Sequence, residues 1–193
     1  MRPAFAAVAL FMSACSAPQQ EAQARAAPAA PTQEERIARG AYITSYAGCN
    51  DCHTPGYFLG QPNNELHLAG SDVGFFMPGL GYVYGPNLTP DPETGLGNWS
   101  EDQILTAIRT GVRPDGRKLA PIMPWQAFAG LTDEDVRSIA VYLKSLAPIA
   151  RPSLPMTPAD QMPPGAYMSI VFPPGVTPPG PPPGAAPAAP PAP

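Results

Sequence analysis

The chain has 193 residues, of which 30 are proline and 18 glycine, and its formal net charge is −4. Proline and glycine are the residues least compatible with helix and strand interiors, so one uniform globular domain is excluded. An acidic chain without a long basic run is not expected to bind nucleic acid. No apolar stretch reaches the roughly 18 residues that a membrane-spanning helix needs.

The prolines divide the chain into parts. Residues 148–193 contain 17 of them and residues 1–31 contain four, which leaves nine in residues 32–147. The middle segment has the composition and size of one small domain. We therefore predict a domain over 32–147 and, over 148–193, a disordered Pro/Ala-rich tail that acts as a semi-rigid spacer. An apolar run at 167–172 interrupts the tail and either packs on the domain or binds a partner.

The amino terminus has the order of a secretory signal. Arg2 supplies a positive charge, Ala4–Met12 is a short apolar run, and small residues follow over 13–17. This order of charged, apolar and small residues is typical of a cleaved export signal. We predict a signal peptide over 1–15 and location in the bacterial periplasm.

Cys15 is a candidate lipidation site. Ser13 and Ala14 immediately before it resemble the lipobox of bacterial lipoproteins, which predicts a lipid anchor on Cys15 and a flexible linker over 16–31. Cleavage after Ala17 or Ala24 is the alternative and gives a soluble exported protein. Lipidation of Cys15 would associate the protein with a membrane through the lipid.

The chemistry rests on Cys49 and Cys52, spaced as Cys-Asn-Asp-Cys and followed directly by His53. A thioredoxin-like thiol pair would follow a strand, and a structural zinc site would need a further ligand at suitable spacing. A plain disulfide gives the histidine no role. Covalent c-type haem attachment uses all three residues, because the thiols form thioethers with the haem vinyls and the imidazole is the proximal iron ligand. The motif occurs once, which predicts one haem c.

Three amphipathic helices are expected around this motif. They run over about 32–46, 100–111 and 132–147, and each opens with a capping serine or threonine and acidic residues in the first turn. The apolar residues of the first helix predict its inward face, namely Ile37, Ala38, Ala41 and Tyr42. We therefore predict an all-α fold.

A long segment of low periodicity separates the first two helices. Residues 54–99 contain nine glycines, and short strands are expected only near 74–77 and 82–84. A structureless loop of this length is uncommon in a compact domain. A large, flat, apolar cofactor around which the loop wraps accounts for it.

Three side chains in the middle segment are candidates for a second axial ligand. Met123 lies between prolines in an irregular segment and has no helix or strand face to fill, so we predict that it is the ligand. Met77 and His67 are the alternatives. Methionines of the tail are poor candidates because they lie outside the predicted domain.

Several motifs together resemble the class I cytochromes c, and more narrowly the cytochrome c domains of alcohol and gluconate dehydrogenase cytochrome subunits. The similarity covers about residues 33–146 and is carried by segments 39–42 (RGAY), 48–54 (GCNDCHT), 85–91 (GPNLTPD), 94–100 (TGLGNWS), 123–124 (MP) and 131–136 (LTDEDV). Those subunits have three such domains, whereas this sequence contains a single attachment motif. The resemblance implies a cytochrome c-like fold around one covalent haem.

The resemblance also implies particular contacts. The first and last helices would cross closely where Gly40 meets Tyr142. A proline carbonyl, from Pro86 or Pro55, would accept a hydrogen bond from the proximal imidazole. Separately, Trp99, Asn87 and Arg113 are candidates for contact with the haem propionates, and an ordinary surface or core role is the alternative for each.

Ligation by His53 and Met123 would leave no open iron position, so the sequence predicts a one-electron carrier rather than an enzyme. Its redox partners would be a periplasmic dehydrogenase as donor and a respiratory acceptor. The domain is acidic, and Arg109, Arg113, Arg117 and Lys118 form either a local positive rim or an ordinary solvated helix end. Two alternatives remain: a haem protein with an open sixth position, such as a peroxidase or sensor, and a haem-free Cys-x-x-Cys thiol oxidoreductase.

Overall fold

The structure is a computed structural model and describes residues 30–176. The signal peptide, Cys15 and almost all of the predicted linker lie outside these residues, as does the end of the tail. The described part contains five α-helices and three β-strands: α1 (Gln33–Tyr46), α2 (Cys49–His53), β1 (Val73–Met77), β2 (Gly81–Val83), α3 (Glu101–Thr110), α4 (Trp125–Phe128), α5 (Asp133–Ser145) and β3 (Ala166–Met168). Within residues 30–176, no helix has the length and apolarity to cross a bilayer.

The three predicted helices are α1, α3 and α5, and their caps explain where they begin. At the start of α1, the Glu35 amide donates to the Thr32 hydroxyl and Glu35 Oε2 accepts from the Thr32 amide at 2.7 Å. Ser100 and Gln103 form the same reciprocal box in α3. These bonds satisfy amide donors that a helix leaves unpaired in its first turn.

The main helix contact is the crossing of α1 and α5. A Cβ added at Gly40 would overlap the Ser138 carbonyl and lie 2.6 Å from the Tyr142 Cβ. Glycine therefore allows the two backbones to touch. The predicted inward face of α1 is wrong for Ala38, which is exposed, and for Tyr42, which is 61% exposed. Ile37 and Ala41 are half-buried. The buried residues of α1 are Gly40, Ile43 and Thr44.

The hydrophobic core lies where α1, α3 and α5 meet the long loop. Its buried members are Ile43, Leu68, Leu96, Ile104, Ile139, Ala140 and Leu143. Leu68 and Leu96 come from the loop, which therefore supplies part of the core.

A small sheet corrects the prediction of an all-α fold. Strand order is β2-β1-β3, with β1 antiparallel to β2 and parallel to β3. The first two strands correspond to those expected near 74–77 and 82–84. The third comes from the proline-rich tail, which was predicted to be a spacer except for its apolar run at 167–172.

The segment that follows the predicted boundary at residue 147 is hydrogen-bonded to the domain. The amide of Arg151 donates to the Thr94 hydroxyl at 3.1 Å, and Tyr82 and Thr157 exchange backbone hydrogen bonds of 2.8 and 3.0 Å. Tyr167 packs against Tyr82 with ring centroids 4.8 Å apart. The apolar run at 167–172 packs on the domain only in part. Its first residues lie in β3, while Ile170 and Val171 are exposed.

Candidate functional site

One short helix brings the three motif residues together. Gly48, in the left-handed conformation with φ of 68°, ends the connection from α1 and starts α2, which consists of Cys49–His53. The side chains of Cys49 and Cys52 are half-buried free thiols. A five-residue helix places both sulfurs and the imidazole within about one and a half helical turns.

The tautomer of His53 follows from its hydrogen bond. The ring is buried at 6% exposure, and Nδ1 lies 2.7 Å from the carbonyl oxygen of Pro86. A carbonyl only accepts, so Nδ1 carries the proton and Nε2 keeps its lone pair. The alternative acceptor, the carbonyl of Pro55, instead accepts from the Asn63 amide at 2.9 Å.

Gly85 makes this hydrogen bond sterically accessible. A Cβ at this position would overlap the carbonyl oxygen of Cys52 and lie 3.3 Å from Nδ1 of His53. The backbone of residues 85–86 therefore crosses directly over the end of α2. Gly85 had no predicted role of its own, although its place directly before Pro86 was an available signal.

The electrostatics of the site favour protonated thiols and a neutral imidazole. Burial, reinforced by the negative charge of Asp51, raises the pKa of Cys49 to about 11, and the same causes raise the pKa of Cys52. Burial lowers the pKa of His53. Reactive thiols of disulfide oxidoreductases have lowered pKa values. The pair also follows a helix rather than a strand, so neither feature of a thiol oxidoreductase is present.

The zinc interpretation lacks ligands in the part of the chain that the structure describes, where no three His, Cys, Asp or Glu side chains form a metal-binding group. The other histidine, His67, is engaged elsewhere: its Nε2 lies 3.0 Å from the hydroxyl of Tyr142 on α5.

The two methionine candidates occupy different environments. Met77 is the last residue of β1 and is paired with Gly81 in the β1–β2 register. Met123 is half-buried in the irregular segment between α3 and α4, where its amide donates to the Ala120 carbonyl at 2.9 Å and its carbonyl accepts from the Trp125 amide at 2.8 Å. A tight turn thus fixes the backbone of Met123.

The structure gives the three propionate candidates internal contacts. Asn87 is 1% exposed and its side chain joins the loop to the C-terminal segment, donating to the Ile149 carbonyl at 2.8 Å. The Arg113 guanidinium stands 5.2 Å from the ring centroid of Trp99 and 3.3 Å from Asp115. Asn87 therefore has a structural role that the sequence motif did not reveal.

The donor set fits haem c. Two thiols on one turn can form thioethers with the vinyl groups, and a neutral imidazole with Nε2 available can ligate iron. Helices packed around such a motif define the class of c-type cytochromes. The chain belongs to the cytochrome c family, whose model matches residues 37–147. The matched part is an electron-transfer domain rather than a catalytic one, and the family implies covalently bound haem c.

Curated relatives agree with this assignment. The chain is 36% identical over 126 residues to the cytochrome c subunit of the quinone alcohol dehydrogenase of Gluconobacter oxydans, covering 65% of this chain and 24% of the relative. It is 37% identical over 144 residues to the fructose dehydrogenase cytochrome subunit of Gluconobacter japonicus, covering 72% and 27%. A diheme cytochrome c-type protein of Cereibacter sphaeroides is 29% identical over 117 residues, covering 61% and 38%. The chain thus spans about a quarter of the length of the two dehydrogenase subunits.

Proposed function

We propose that the chain is a monohaem c-type cytochrome that carries one electron at a time. Cys49 and Cys52 would hold the haem through thioethers, and His53 and Met123 would be the axial ligands. The observation that carries this proposal is the hydrogen bond from Nδ1 of His53 to Pro86, because it leaves the lone pair of Nε2 available to bind iron. The single attachment motif in the sequence supports one haem.

Each residue has a definite task in this proposal. The haem iron supplies reversible one-electron chemistry between its ferric and ferrous states. Pro86 fixes the orientation and tautomer of the proximal imidazole and increases its basicity. Met123 would supply a thioether ligand to the iron, and a haem held by both His53 and Met123 would have no position for substrate or oxygen. The domain would then exchange electrons without binding a reactant.

Met123 is favoured over its competitors by their contacts. His67 is occupied by Tyr142, and Met77 is held in a paired strand. Met123 lies in a turn flanked by Pro121 and Pro124, which restrict the backbone. A loop stiffened in this way would hold the thioether of Met123 in one position.

We further propose a dehydrogenase as electron donor and a respiratory protein as acceptor. Relatives of the matched domain are named as cytochrome subunits of dehydrogenases, which supports a donor of that kind. Of the basic residues beside the proposed ligand loop, Arg109 pairs with Asp133 at 2.6 Å. Arg117 and Lys118 are exposed, and Arg117 lies 4.0 Å from the carboxylate of Asp115. Lys118 is thus exposed to an acidic patch on a partner.

The proposed location is the bacterial periplasm, with a membrane anchor on a lipidated Cys15. The order of residues 2–17 supports export, and Ser13-Ala14 before the cysteine supports lipidation. Mass spectrometry of the mature amino-terminal peptide tests this. A diacylated Cys15 is expected, and an unmodified amino terminus after Ala17 or Ala24 would contradict it.

The ligand assignment is tested by spectroscopy on protein matured in a host with c-haem assembly. The ferric parent is expected to show the near-infrared band of methionine ligation. The substitution Met123→Ala should abolish that band, and Met77→Ala, a matched change at another half-buried methionine, should leave it intact. Survival of the band in Met123→Ala would show that Met123 is not the ligand.

A further inference from the structure

The peptide group that joins Pro86 to Asn87 is held from both sides. Its carbonyl oxygen accepts from Nδ1 of His53 at 2.7 Å, and its N–H donates to the hydroxyl of Ser153 at 2.9 Å. Ser153 lies 66 positions later in the sequence than Asn87. A residue of the C-terminal segment thus touches the same planar unit as the proximal imidazole.

The plane of a peptide couples its two ends. Because the C–N bond has partial double-bond character, an N–H fixed in direction also fixes the carbonyl. Hydrogen bonds in series also polarise one another, so donation to Ser153 strengthens the acceptor that His53 uses. Ser153 can therefore act on the imidazole without touching it.

Ser153 is itself held in place by its segment. We call residues 149–157 the strap. The Ile149 amide donates to the Thr89 hydroxyl at 3.1 Å, and the guanidinium of Arg151 donates to the Ala69 carbonyl at 3.0 Å. Beyond Ser153, Thr157 is bridged to β2 through Tyr82. The hydroxyl of Ser153 thus lies between two anchored points.

We propose that Ser153 is a positioning residue for the proximal histidine, acting through the Pro86–Asn87 peptide. This inference rests on the proposed function, because it assumes that His53 ligates the haem iron. The strap then belongs to the redox centre as a supporting element and is more than a spacer. Loss of the Ser153 hydroxyl would weaken the hydrogen bond on Nδ1 of His53 and reduce the electron donation of the imidazole to a bound iron.

The test uses the full-length holoprotein and three variants. Ser153→Ala removes the acceptor, Ser153→Thr keeps it, and Tyr84→Phe removes a different hydroxyl that links the same C-terminal segment to the domain through Gly165. The readouts are the midpoint potential and the solvent exchange of the Asn87 amide and His53 Nδ1 protons, followed by ¹⁵N-edited NMR of the ferrous protein.

The potential of Ser153→Ala is expected to rise above that of the parent, because a weaker donor stabilises the ferric state less. Exchange of the Asn87 amide proton should accelerate about ten-fold, as expected for one lost hydrogen bond, and exchange of the Nδ1 proton, whose own hydrogen bond is weakened, should accelerate as well. Ser153→Thr should restore these values, and Tyr84→Phe should match the parent. Equal potentials in Ser153→Ala and the parent, or equal shifts in Ser153→Ala and Tyr84→Phe, would overturn the inference.

The parent provides a check that does not depend on how a variant folds. The amide proton of Asn87 should be protected from exchange because it is bonded to Ser153, and an unprotected amide would overturn the inference. A parent without covalent haem would refute the proposed function instead. If the parent carries haem but its Asn87 amide is unprotected, or Ser153→Ala leaves the potential unchanged, only the role of Ser153 is refuted.

Discussion

The crossing of α1 and α5 predicts that Gly40→Ala destabilises the domain even though alanine is the better helix former. In the interior of a helix, the exchange alone gains about 1 kcal/mol. Here the new Cβ would stand 2.6 Å from the Tyr142 Cβ and overlap the Ser138 carbonyl. Because carbon atoms pack at roughly 3.5–4.0 Å, the helices must separate by about 1 Å.

Overpacking of this kind costs about 1–3 kcal/mol. Separation of the helices also loosens the contacts of Ile43 with the core, so after the propensity gain is subtracted we expect a net loss of about 1–2 kcal/mol in the free energy of unfolding. Urea unfolding followed by far-ultraviolet circular dichroism measures it. Ala38→Gly, at an exposed position of the same helix, is the matched control and should cost about 1 kcal/mol through helix propensity alone. A Gly40→Ala protein as stable as the parent would refute the close crossing.

Three further outcomes are expected. Gly85→Ala places a Cβ against the Cys52 carbonyl and should reduce the yield of covalently loaded protein, measured as haem per chain; parental loading would contradict the geometry. Asn87→Ala removes a buried hydrogen-bonding hub and should lower the free energy of unfolding by about 2–4 kcal/mol, whereas a loss below the error of a urea titration would contradict that role. Hydrogen bonds from Thr94 lower the pKa of Asp91. Its carboxylate therefore contributes stability above about pH 4 that is lost as the pH falls through the lowered pKa. The urea midpoint of Asp91→Asn should fall less than that of the parent between pH 4 and 2. Equal falls of the two midpoints over this pH range would exclude the effect.

The parts of the fold predictable from sequence are those encoded locally. Caps at Thr32, Ser100 and Thr132 predicted the starts of three helices because capping involves residues three positions apart. The inward face of α1 could not be predicted from apolar residues alone. A close crossing buries Gly40 and Thr44, while Tyr42 lies exposed.

Contacts between distant segments were the least predictable. Two prolines were equal candidates for the acceptor of His53, and only the path of the loop distinguishes Pro86, 33 positions from the histidine, from Pro55. Likewise, the strap is anchored by single side chains such as Asn87 and Arg151 rather than by a periodic pattern. Its proline content therefore predicted a spacer, although its polar groups are bonded to the domain.

Covalent haem attachment is tested most directly by the pyridine haemochrome spectrum of the chain after acid–acetone extraction, in protein matured in a host with c-haem assembly. Two thioethers through Cys49 and Cys52 predict that the haem stays with the polypeptide, at one per chain, with the spectrum of haem c. Haem that leaves with the solvent, or a chain that carries none, would contradict the account.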